Sequence, residues 1–379
     1  MYAGPTQPLD ATFFGLHIHR AATATEWPRV SFGAWRLWDA GVSWPELEPE
    51  PGKWNFTLLD RYVEIAAQNH VQILLTLGLT PAWASLRPDE PSAYRKGNAS
   101  PPRCLADWEE YVRTVATRYR GKIYEYEIWN EPNVRGTFTG SPHDMLNLSR
   151  TAYGALKSVD PTIMVVSPSA TANDGVAWLN DYMAAGACRY SDIVGYHFYV
   201  TPKPPEAIVA LIEKVKASLG RNGCQTRPLW DTELGWAEPE HFQSDETAAA
   251  YLMRAYLLNW LMGVQRCYWY AWDNHNWSTL DLTSRIDGQM TAAGAAYGVV
   301  RGWTLGGILH SCSRSRSGLW NCEIVRNGEV SRVLWSDRDS QSFSPPRSWG
   351  AHTLTLWTGD LAPAPPHLLV GPAPLLLSR

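Results

Sequence analysis

The chain has 379 residues, 45% of them hydrophobic, which is long enough for one large domain with a smaller module beside it. Its formal net charge is only −4, and no run of like charges stands out, so the sequence gives no electrostatic support for binding nucleic acid or a membrane surface. No stretch of 18 apolar residues is present, and no transmembrane helix is expected.

Eight strand-like segments recur along the chain and alternate with segments of helical spacing. Several of them are apolar throughout, as expected for parallel strands that helices cover. The predicted strands are Thr12–Ile18, Gly33–Trp38, Gln72–Leu77, Tyr124–Trp129, Ile163–Ser167, Ile193–Phe198, Leu229–Thr232 and Tyr268–Trp272.

The intervening segments predict amphipathic helices. Apolar residues form one face of a helix within Leu58–Asn69, and Ser244 is a suitable N-cap for Asp245–Met262. Eight strand–helix units favour an α/β fold, a (β/α)₈ TIM barrel over residues 10–301, rather than an open doubly wound sheet. No glycine-rich phosphate-binding fingerprint follows the first strand, which argues against a nucleotide cofactor.

The texture changes after Arg301. Short alternating segments separated by turn residues predict a small β module over 302–360, and Asn327–Gly328 is typical of a two-residue hairpin turn. Residues 361–379 are rich in Pro and Leu but lack polar periodicity, so we expect a tail with little structure of its own.

Polar and aromatic residues are concentrated at the carboxyl ends of the predicted strands, where barrel enzymes carry their catalytic groups. They are His17 and His19 after the first strand, Arg36 on the second, Asn130 and Glu131 after the fourth, His197 and Tyr199 after the sixth, Glu233 after the seventh, and Trp272 and Asp273 after the eighth.

Glu131 and Glu233 end strands that face each other across the barrel mouth. Cleavage of a glycosidic bond needs one carboxylic acid to protonate the leaving oxygen and one carboxylate to attack the anomeric carbon. A single glutamate among 37 acidic residues is usually exposed or salt-bridged, but two at facing strand ends predict catalysis. A separation of about 5–5.5 Å would make the reaction retaining.

Four motifs carry a family resemblance over about residues 10–300. The segments 127–133 (EIWNEPN) and 231–236 (DTELGW) resemble the strand-four and strand-seven signatures of clan A retaining glycoside hydrolases. The segments 80–84 (TPAWA) and 195–199 (GYHFY) narrow the resemblance to glycoside hydrolase family 39 and its bacterial relatives, which include β-xylosidases, iduronidases and exopolysaccharide endoglycosidases. The trailing β module is similar to that family's accessory sandwich.

The resemblance implies a role for each matching residue. Glu131 would be the general acid/base and Glu233 the nucleophile, with the pKa of Glu131 raised by the second carboxylate. Asn130 would bind the sugar 2-hydroxyl. The other implied site residues are Arg36 beside the nucleophile, His197 near the acid/base, Tyr199 donating to Glu233, Trp272 as the floor of the sugar subsite, and His17, His19 and Trp83 facing the substrate.

Two features depart from the family pattern. Asp231 lies where an apolar or small residue is expected, and an inward orientation would require a partner that the sequence does not identify. The Asn274–Trp277 loop matches no assignable pattern and is a candidate for determining specificity.

His17 and His19 could bind a metal, but no further ligand set accompanies them. No G-x-S-x-G elbow is present either, which argues against a Ser-His-Asp hydrolase. Neither a metal nor a cofactor is expected.

The six cysteines suggest two disulfides. Cys188 and Cys224 precede neighbouring strands by similar distances, so they are expected at one barrel rim and within pairing reach. Cys312 and Cys322 flank a short excursion in the β module, while Cys104 and Cys267 are expected to remain free. Residues 1–10 lack signal-peptide features. Two bridges would nevertheless favour a secreted or periplasmic protein whose signal peptide is absent from this sequence.

The sequence thus predicts a retaining glycoside hydrolase that acts on an oligo- or polysaccharide, with internal cleavage favoured. The 20 Trp against 8 Phe suit a carbohydrate ligand, since flat aromatic rings cover sugar faces, although most Trp are expected to pack in the core. The alternatives are an exo-acting β-xylosidase-like or iduronidase-like enzyme and a transglycosylase. A non-catalytic sugar-binding barrel would be expected to have lost one of the two carboxylates.

Overall fold

Parallel strands close into a ring in the computed structural model, which describes residues 2–236, 242, 244–273, 280–284 and 286–379. The ring closes where Phe14–His17 pairs with Arg266–Trp269. The predicted α/β fold, a (β/α)₈ TIM barrel, is confirmed. In chain order, the barrel strands are Phe14–His17, Ala34–Leu37, Gln72–Leu77, Glu125–Ile128, Met164–Val166 with Ala170–Thr171, Val194–His197, Leu229–Leu234 and Arg266–Trp269.

The fifth strand consists of two pieces. Met164–Val166 pairs with the fourth strand and Ala170–Thr171 pairs with the sixth. The eighth strand begins and ends earlier than the predicted Tyr268–Trp272. Its regular pairing stops at Trp269, although the Trp272 N–H still donates to the His17 carbonyl at 2.9 Å.

Helices surround the barrel, and several of them bury one apolar face against it, as the sequence predicts. The helix Asp245–Leu261 is instead buried on nearly all sides. Ser244 caps its helix by accepting from the Thr247 N–H, and Ser141 forms a capping box with Asp144. The described part of the chain contains no helix that combines the length and apolarity needed to cross a bilayer. The α-helices are Trp44–Leu47, Thr57–Gln68, Leu105–Arg118, Pro142–Val159, Gly175–Ala184, Ala207–Arg221, Asp245–Leu261 and Ala292–Thr304, and 3₁₀ turns occur at Ala11–Phe13, Ala187–Tyr190 and Arg347–Trp349.

The barrel interior is layered. Near the amino ends of the strands, Arg266 pairs with Glu125. An apolar layer lies in the middle and separates this pair from the polar residues at the carboxyl ends. It is formed by Ala34, Leu74, Val166, Ile193, Trp230 and Tyr268. Inward side chains recur every second residue along a strand, so Glu125 and Glu127 lie on the same face, below and above this layer.

A β module follows the barrel. Asn327 and Gly328 both have positive φ angles and turn the hairpin that the sequence predicts there. The larger sheet is formed by Tyr2–Ala3, Ile308–Arg314, Leu319–Arg326, Glu329–Ser336, Leu375–Ser378, Thr353–Thr355 and Leu361–Pro363, and the smaller by Gln341–Phe343 and Leu368–Val370. The module contacts the barrel through Trp335, whose indole N–H donates to Glu206 at 3.0 Å.

Residues 361–379 are not the unstructured tail that the sequence predicted. They supply three strands, and Leu375–Ser378 lies between two other strands of the larger sheet. Leu375 and Leu377 pack against the smaller sheet, while Leu376 joins the main hydrophobic core. A strand covered on both faces shows no polar alternation, which is why the prediction failed.

Both predicted disulfides are present. Cys188 pairs with Cys224 and Cys312 with Cys322, with Cα–Cα distances of 5.9 and 4.1 Å. Cys104 is exposed and Cys267 is buried, and both carry free thiols as predicted.

Candidate active site

The end of the fourth strand delivers two consecutive side chains to the barrel mouth. Regular pairing stops at Ile128, and both Trp129 and Glu131 adopt left-handed φ angles, 68° and 47°. Such angles are strained for side chains of this size and persist where the surroundings impose them. Here the Trp129 N–H donates to Leu77 at 2.7 Å and the Glu131 N–H to Ser169 at 2.9 Å. The turn is therefore held by both neighbouring strands.

Glu131 and Glu233 lie together in this mouth. An oxygen of each lies within 4.8 Å of the other and of a ring nitrogen of His197. Glu131 Oε1 is 3.0 Å from His197 Nδ1, and the same nitrogen is 4.0 Å from Glu233 Oε1. The Glu233 side chain is 5% exposed and that of Glu131 20%, so the pair is accessible mainly from the Glu131 side.

Arg36 is fully buried beneath the pair and donates three hydrogen bonds. Its Nη1 donates to Glu233 Oε2 at 2.8 Å, its Nη2 to Asn130 Oδ1 at 2.7 Å and its Nε to Glu127 Oε2 at 2.6 Å. The Asn130 amide oxygen is thus occupied, which leaves its NH₂ group available to donate. The guanidinium therefore fixes the orientation of the Glu233 carboxylate and of the Asn130 amide together.

Glu233 also accepts from Tyr199, whose hydroxyl lies 2.9 Å from Oε1. Burial raises the pKa of Glu233, and the negative charges of Glu131 and Asp39 add to this. The charges of His197 and Arg36 act in the opposite direction without reversing the shift. Glu233 therefore binds a proton more readily than an ordinary glutamate.

The pKa of Glu131 is lowered, which is opposite to the sequence expectation. Burial raises it, but the hydrogen bond and positive charge of His197 outweigh burial, with help from Thr171 and Arg36. The expectation considered only the second carboxylate and not the imidazole at 3.0 Å. The contact with His197 therefore determines the direction of the Glu131 pKa shift.

His17 and His19 lie at the same end of the barrel, at the end of the first strand. Both contact Tyr270, and the centroids of their rings are 4.9 and 5.0 Å from that of Tyr270. His17 Nε2 donates to the Thr232 carbonyl at 3.1 Å, and burial together with Arg36 holds the pKa of His17 well below the ordinary value. His17 is therefore neutral. His19 is tied to Asp273, with Nδ1 3.2 Å from Oδ1.

Tyr270 is a site residue that the sequence reasoning missed. Its hydroxyl donates to Asp39 at 2.7 Å, as does that of Tyr94 at 2.8 Å, and burial followed by the charges of Asp39 and Glu233 raises its pKa. The eighth strand thus brings Tyr270 near Glu233. A strand boundary placed two residues earlier would have pointed to it.

Trp272 and Trp83 have other surroundings. Trp272 is buried and lines a cavity of about 500 Å³ between the loops after the first and eighth strands, with Arg20, Thr25 and Gln289. The Trp83 indole N–H donates to the Glu48 carbonyl at 3.0 Å, and its ring meets that of Trp44 edge-on. Neither tryptophan shares a described contact with the Glu131–Glu233 pair. The Asn274–Trp277 loop lies outside the described residues.

Comparison with known proteins identifies the family. The sequence pattern described as "Glycosyl hydrolases family 39" matches residues 50–270, more than half of the chain. The chain belongs to glycosyl hydrolases family 39. The match includes Glu131, His197 and Glu233, but Arg36 and Trp272 fall outside it.

Two proteins named β-xylosidase match part of the chain. A β-xylosidase of Geobacillus stearothermophilus is 25% identical, over 53% of this chain and 45% of that protein. A β-xylosidase of Caldicellulosiruptor saccharolyticus is 27% identical, over 35% of this chain and 30% of that protein. The chain thus spans less than half the length of these two relatives.

Solved structures share the fold of this family 39 chain. A family 39 glycoside hydrolase from the gut symbiont Bacteroides cellulosilyticus WH2 superposes with a TM-score of 0.79 at 19% identity, covering 98% of this chain and 81% of that one. The family 39 enzyme from Xanthomonas axonopodis pv. citri gives a TM-score of 0.69 at 17% identity, covering 100% and 97%.

The sequence analysis expected Asp231, which departs from the family 39 pattern, to point into the barrel. The structure shows that it does not. Trp230 belongs to the inner layer, so Asp231 faces the surrounding helices. It is fully buried, accepts from the Phe198 N–H at 3.2 Å and lies 3.8 Å from the Cys267 thiol. Burial raises its pKa well above the ordinary value, so the carboxyl is neutral, and the Asn259 side chain is a further partner.

Glu131, His197 and Glu233 of this family 39 site are close enough for one atom of each to contact a single metal ion. Their other contacts disfavour one. Both oxygens of Glu233 already accept hydrogen bonds, from Arg36 and Tyr199, and the Arg36 guanidinium would repel a second cation from the same buried space.

Proposed function

We propose that this protein is a retaining glycoside hydrolase, with Glu233 as the nucleophile and Glu131 as the general acid/base. The observation that carries the proposal is the approach of one oxygen of each glutamate to within 4.8 Å at the mouth of a family 39 barrel. Two carboxyl groups about 5–5.5 Å apart suit double displacement, whereas inversion needs room for a water between carboxyl groups roughly 6.5–9.5 Å apart.

The reaction proceeds in two displacements. A Glu233 oxygen bonds to the anomeric carbon while the glycosidic C–O bond breaks, and the proton of Glu131 goes to the leaving oxygen. A water then gives its proton to Glu131 and its oxygen to the anomeric carbon, which releases Glu233. The Asn130 amide, held by Arg36 at 2.7 Å, donates to the sugar 2-hydroxyl as positive charge develops on the ring.

His197 controls where the proton lies before the first step. Its hydrogen bond and its charge lower the pKa of Glu131 and so favour the ionised form, which cannot donate. Burial and the second carboxylate act against this and favour a proton on Glu131, while Arg36 and Tyr199 favour the anion on Glu233. The productive state therefore combines a protonated Glu131 with an ionised Glu233.

The substrate is an oligo- or polysaccharide cut inside the chain. The cavity of about 500 Å³ beside Trp272 lies at the carboxyl-end face, between the loops after strands eight and one. It offers space for sugar units beyond the one bound at the carboxylates. Relatives named β-xylosidase and endo-1,4-β-xylanase make β-1,4-linked xylose chains the first substrates to test.

Azide rescue tests the mechanism. The Glu131→Ala and Glu233→Ala variants should both lose turnover of an aryl β-xyloside with an activated leaving group. Azide should restore the Glu131→Ala variant and yield the β-glycosyl azide, because Glu233 still forms the covalent intermediate. The Glu233→Ala variant should instead yield the α-azide by direct displacement. Full activity in either variant would falsify the assignment.

Product analysis tests the mode of cleavage. Xylohexaose treated with the wild-type protein should give di-, tri- and tetrasaccharides early in the reaction, as internal cleavage requires. Release of xylose and xylopentaose as the products of the first turnovers would instead identify an exo-acting β-xylosidase. An added acceptor sugar that diverts most of the product into longer chains would identify a transglycosylase.

The proposed site of action lies outside the cytoplasm. Two disulfides, Cys188–Cys224 and Cys312–Cys322, support this, since such bridges persist in oxidising compartments. Fractionation of the producing cells with an antibody against the protein tests it, and recovery with cytoplasmic markers would contradict it.

A further inference from the structure

Glu127 is a third buried carboxylate beneath the catalytic pair, and the two displacements do not use it. It lies on the inner face of the fourth strand, four residues before Glu131, and is 0% exposed. Its Oε2 accepts from Arg36 Nε at 2.6 Å and from the Thr76 hydroxyl at 2.7 Å. The Ser169 hydroxyl donates to its Oε1. Both oxygens of Glu127 therefore accept hydrogen bonds, as expected for an ionised carboxylate.

The cluster around Arg36 contains fewer positive than negative side chains. Burial raises the pKa of Glu127, but the charge of Arg36, the charge of His197 and the hydrogen bonds outweigh it, so the net direction is downward and Glu127 is ionised. One guanidinium thus serves two carboxylates, through Nε for Glu127 and through Nη1 for Glu233. An unpaired ion in such a buried place is strongly disfavoured, so each member depends on the others.

We propose that Glu127 is a positioning residue for the nucleophile: by binding Arg36 through Nε it divides one positive charge between two carboxylates, and it keeps Arg36 paired while Glu233 is esterified to the sugar. The inference rests on the proposed role of Glu233. It deepens that role by assigning the balance of charge beneath the nucleophile to a residue that never touches substrate.

The reasoning follows the charge through one turnover. A guanidinium committed to Glu233 alone would stabilise that anion more and make it a weaker nucleophile. When Glu233 forms its bond to the anomeric carbon, its negative charge disappears, and without Glu127 the buried Arg36 would have no counter-ion. Glu127 keeps its charge throughout, so Arg36 stays in place until water regenerates the Glu233 carboxylate.

The Glu127→Gln variant tests this, because Gln keeps the size and the acceptor oxygen but removes the charge. The groups facing Glu233 are Arg36, Glu131, His197, Tyr199, Tyr270, Tyr94 and Asp39, and those facing Glu127 are Arg36, His197 and Tyr268. With these unchanged, the Arg36 charge acts more fully on Glu233. The acidic limb of kcat/KM, which reports ionisation of the nucleophile, should move to lower pH by about one pH unit.

The opposite sign overturns the proposal. If Glu127 served only to pack Arg36, its loss would let Arg36 move away from Glu233, and the acidic limb would move to higher pH. An unchanged limb would also overturn it. Glu127→Asp, which retains the charge, should keep the wild-type limb, and Thr76→Val, which removes one hydrogen bond to Glu127 but no charge, should do the same. Thermal unfolding of each variant shows that it is folded.

A readout without turnover separates this proposal from the proposed function. A water-soluble carbodiimide with glycine ethyl ester modifies protonated carboxyl groups, and peptide mass spectrometry measures labelling of Glu233 against pH. In Glu127→Gln the labelling midpoint should fall relative to wild type. A falling midpoint in a protein without glycosidase activity would reject the enzyme assignment and keep the charge assignment, whereas a fixed midpoint in an active enzyme would reject only the latter.

Discussion

Two arginine–glutamate clusters lie in one barrel, and they differ in stoichiometry. At the amino ends of the strands, Arg266 donates to both oxygens of Glu125, at 2.5 and 2.7 Å, and its guanidinium stacks on Trp230 at 4.1 Å. At the carboxyl ends, Arg36 is shared between Glu127 and Glu233. Glu125 and Glu127 are two residues apart on the same strand, so the contrast arises between two successive inward positions of that strand.

The difference shows how one fold separates stability from chemistry. The lower cluster has one cation for one anion in a bidentate geometry, which leaves no charge for a ligand. The upper cluster has one arginine for Glu127 and Glu233, and His197 lies next to Glu131. Under the proposed mechanism, its net charge therefore changes when Glu233 bonds covalently to the sugar.

Removing the upper cation should have the largest effect. Arg36→Met leaves Glu127 and Glu233 buried without their counter-ion, so the free energy of unfolding should fall by about 3–5 kcal/mol. Glu233 should take up a proton and kcat should fall roughly 10²–10³-fold. Chemical denaturation and steady-state kinetics measure the two losses, and a variant with wild-type kcat would show that Arg36 does not support the nucleophile.

The matched change in the lower cluster should cost only stability. Arg266→Met leaves Glu125 unpaired, and the free energy of unfolding should fall by about 3 kcal/mol while kcat/KM stays within about twofold. The double variant Arg266→Met/Glu125→Leu should recover most of the loss, because no buried charge then lacks a partner. A large fall in kcat/KM for the folded single variant would mean that the two clusters are coupled across the apolar layer.

A smaller effect is expected at His197. His197→Gln removes the positive charge that lowers the pKa of Glu131. Glu131 should then keep its proton to higher pH, and the alkaline limb of kcat/KM for a substrate with a poor leaving group should rise by about one pH unit. A limb that stays in place or falls would show that His197 does not set the ionisation of Glu131.

The smallest effect is expected at Asp273, a carboxylate that is not paired with a fully buried arginine. Burial raises the pKa of Asp273, but hydrogen bonds from His19 and Thr25 and the charge of His19 lower it to about 2. A depressed carboxyl pKa stabilises the fold above the ordinary value of 3.8 and loses this contribution as pH falls towards 2. Asp273→Asn should remove about 2 kcal/mol of stability at pH 6 and flatten the pH 4 to 2 part of the unfolding profile. A slope equal to wild type would contradict this.

The barrel was predictable because its signals are local and repeated. Apolar strands, amphipathic helices and caps such as Ser244 each specify their own element. The prediction failed at residues 361–379, where burial on both faces of Leu375–Ser378 removes the alternation that marks a strand. It also failed for the orientation of Asp231. Side chains alternate between the two faces of a strand, and the alternation alone does not show which face points into the barrel and which faces the helices.

The candidate site was predictable in its motif residues but not in their support. The positions of Glu131 and Glu233 follow from strand order, and the Tyr199 and His197 contacts follow from the resemblance. The roles of Glu127 and Tyr270 depend on which side chains meet across non-adjacent strands. The direction of the Glu131 pKa likewise depends on a 3.0 Å contact to an imidazole. Spacing along the chain specifies none of these distances.

The placement of Leu375–Ser378 between strands Glu329–Ser336 and Thr353–Thr355 sets the order in which the chain can mature. Both neighbours leave the ribosome before the strand that joins them, and Tyr2–Ala3 waits for Ile308–Arg314. During synthesis the module therefore exposes unpaired sheet edges until residue 378 has emerged, a window in which proteases and chaperones meet an incomplete sheet.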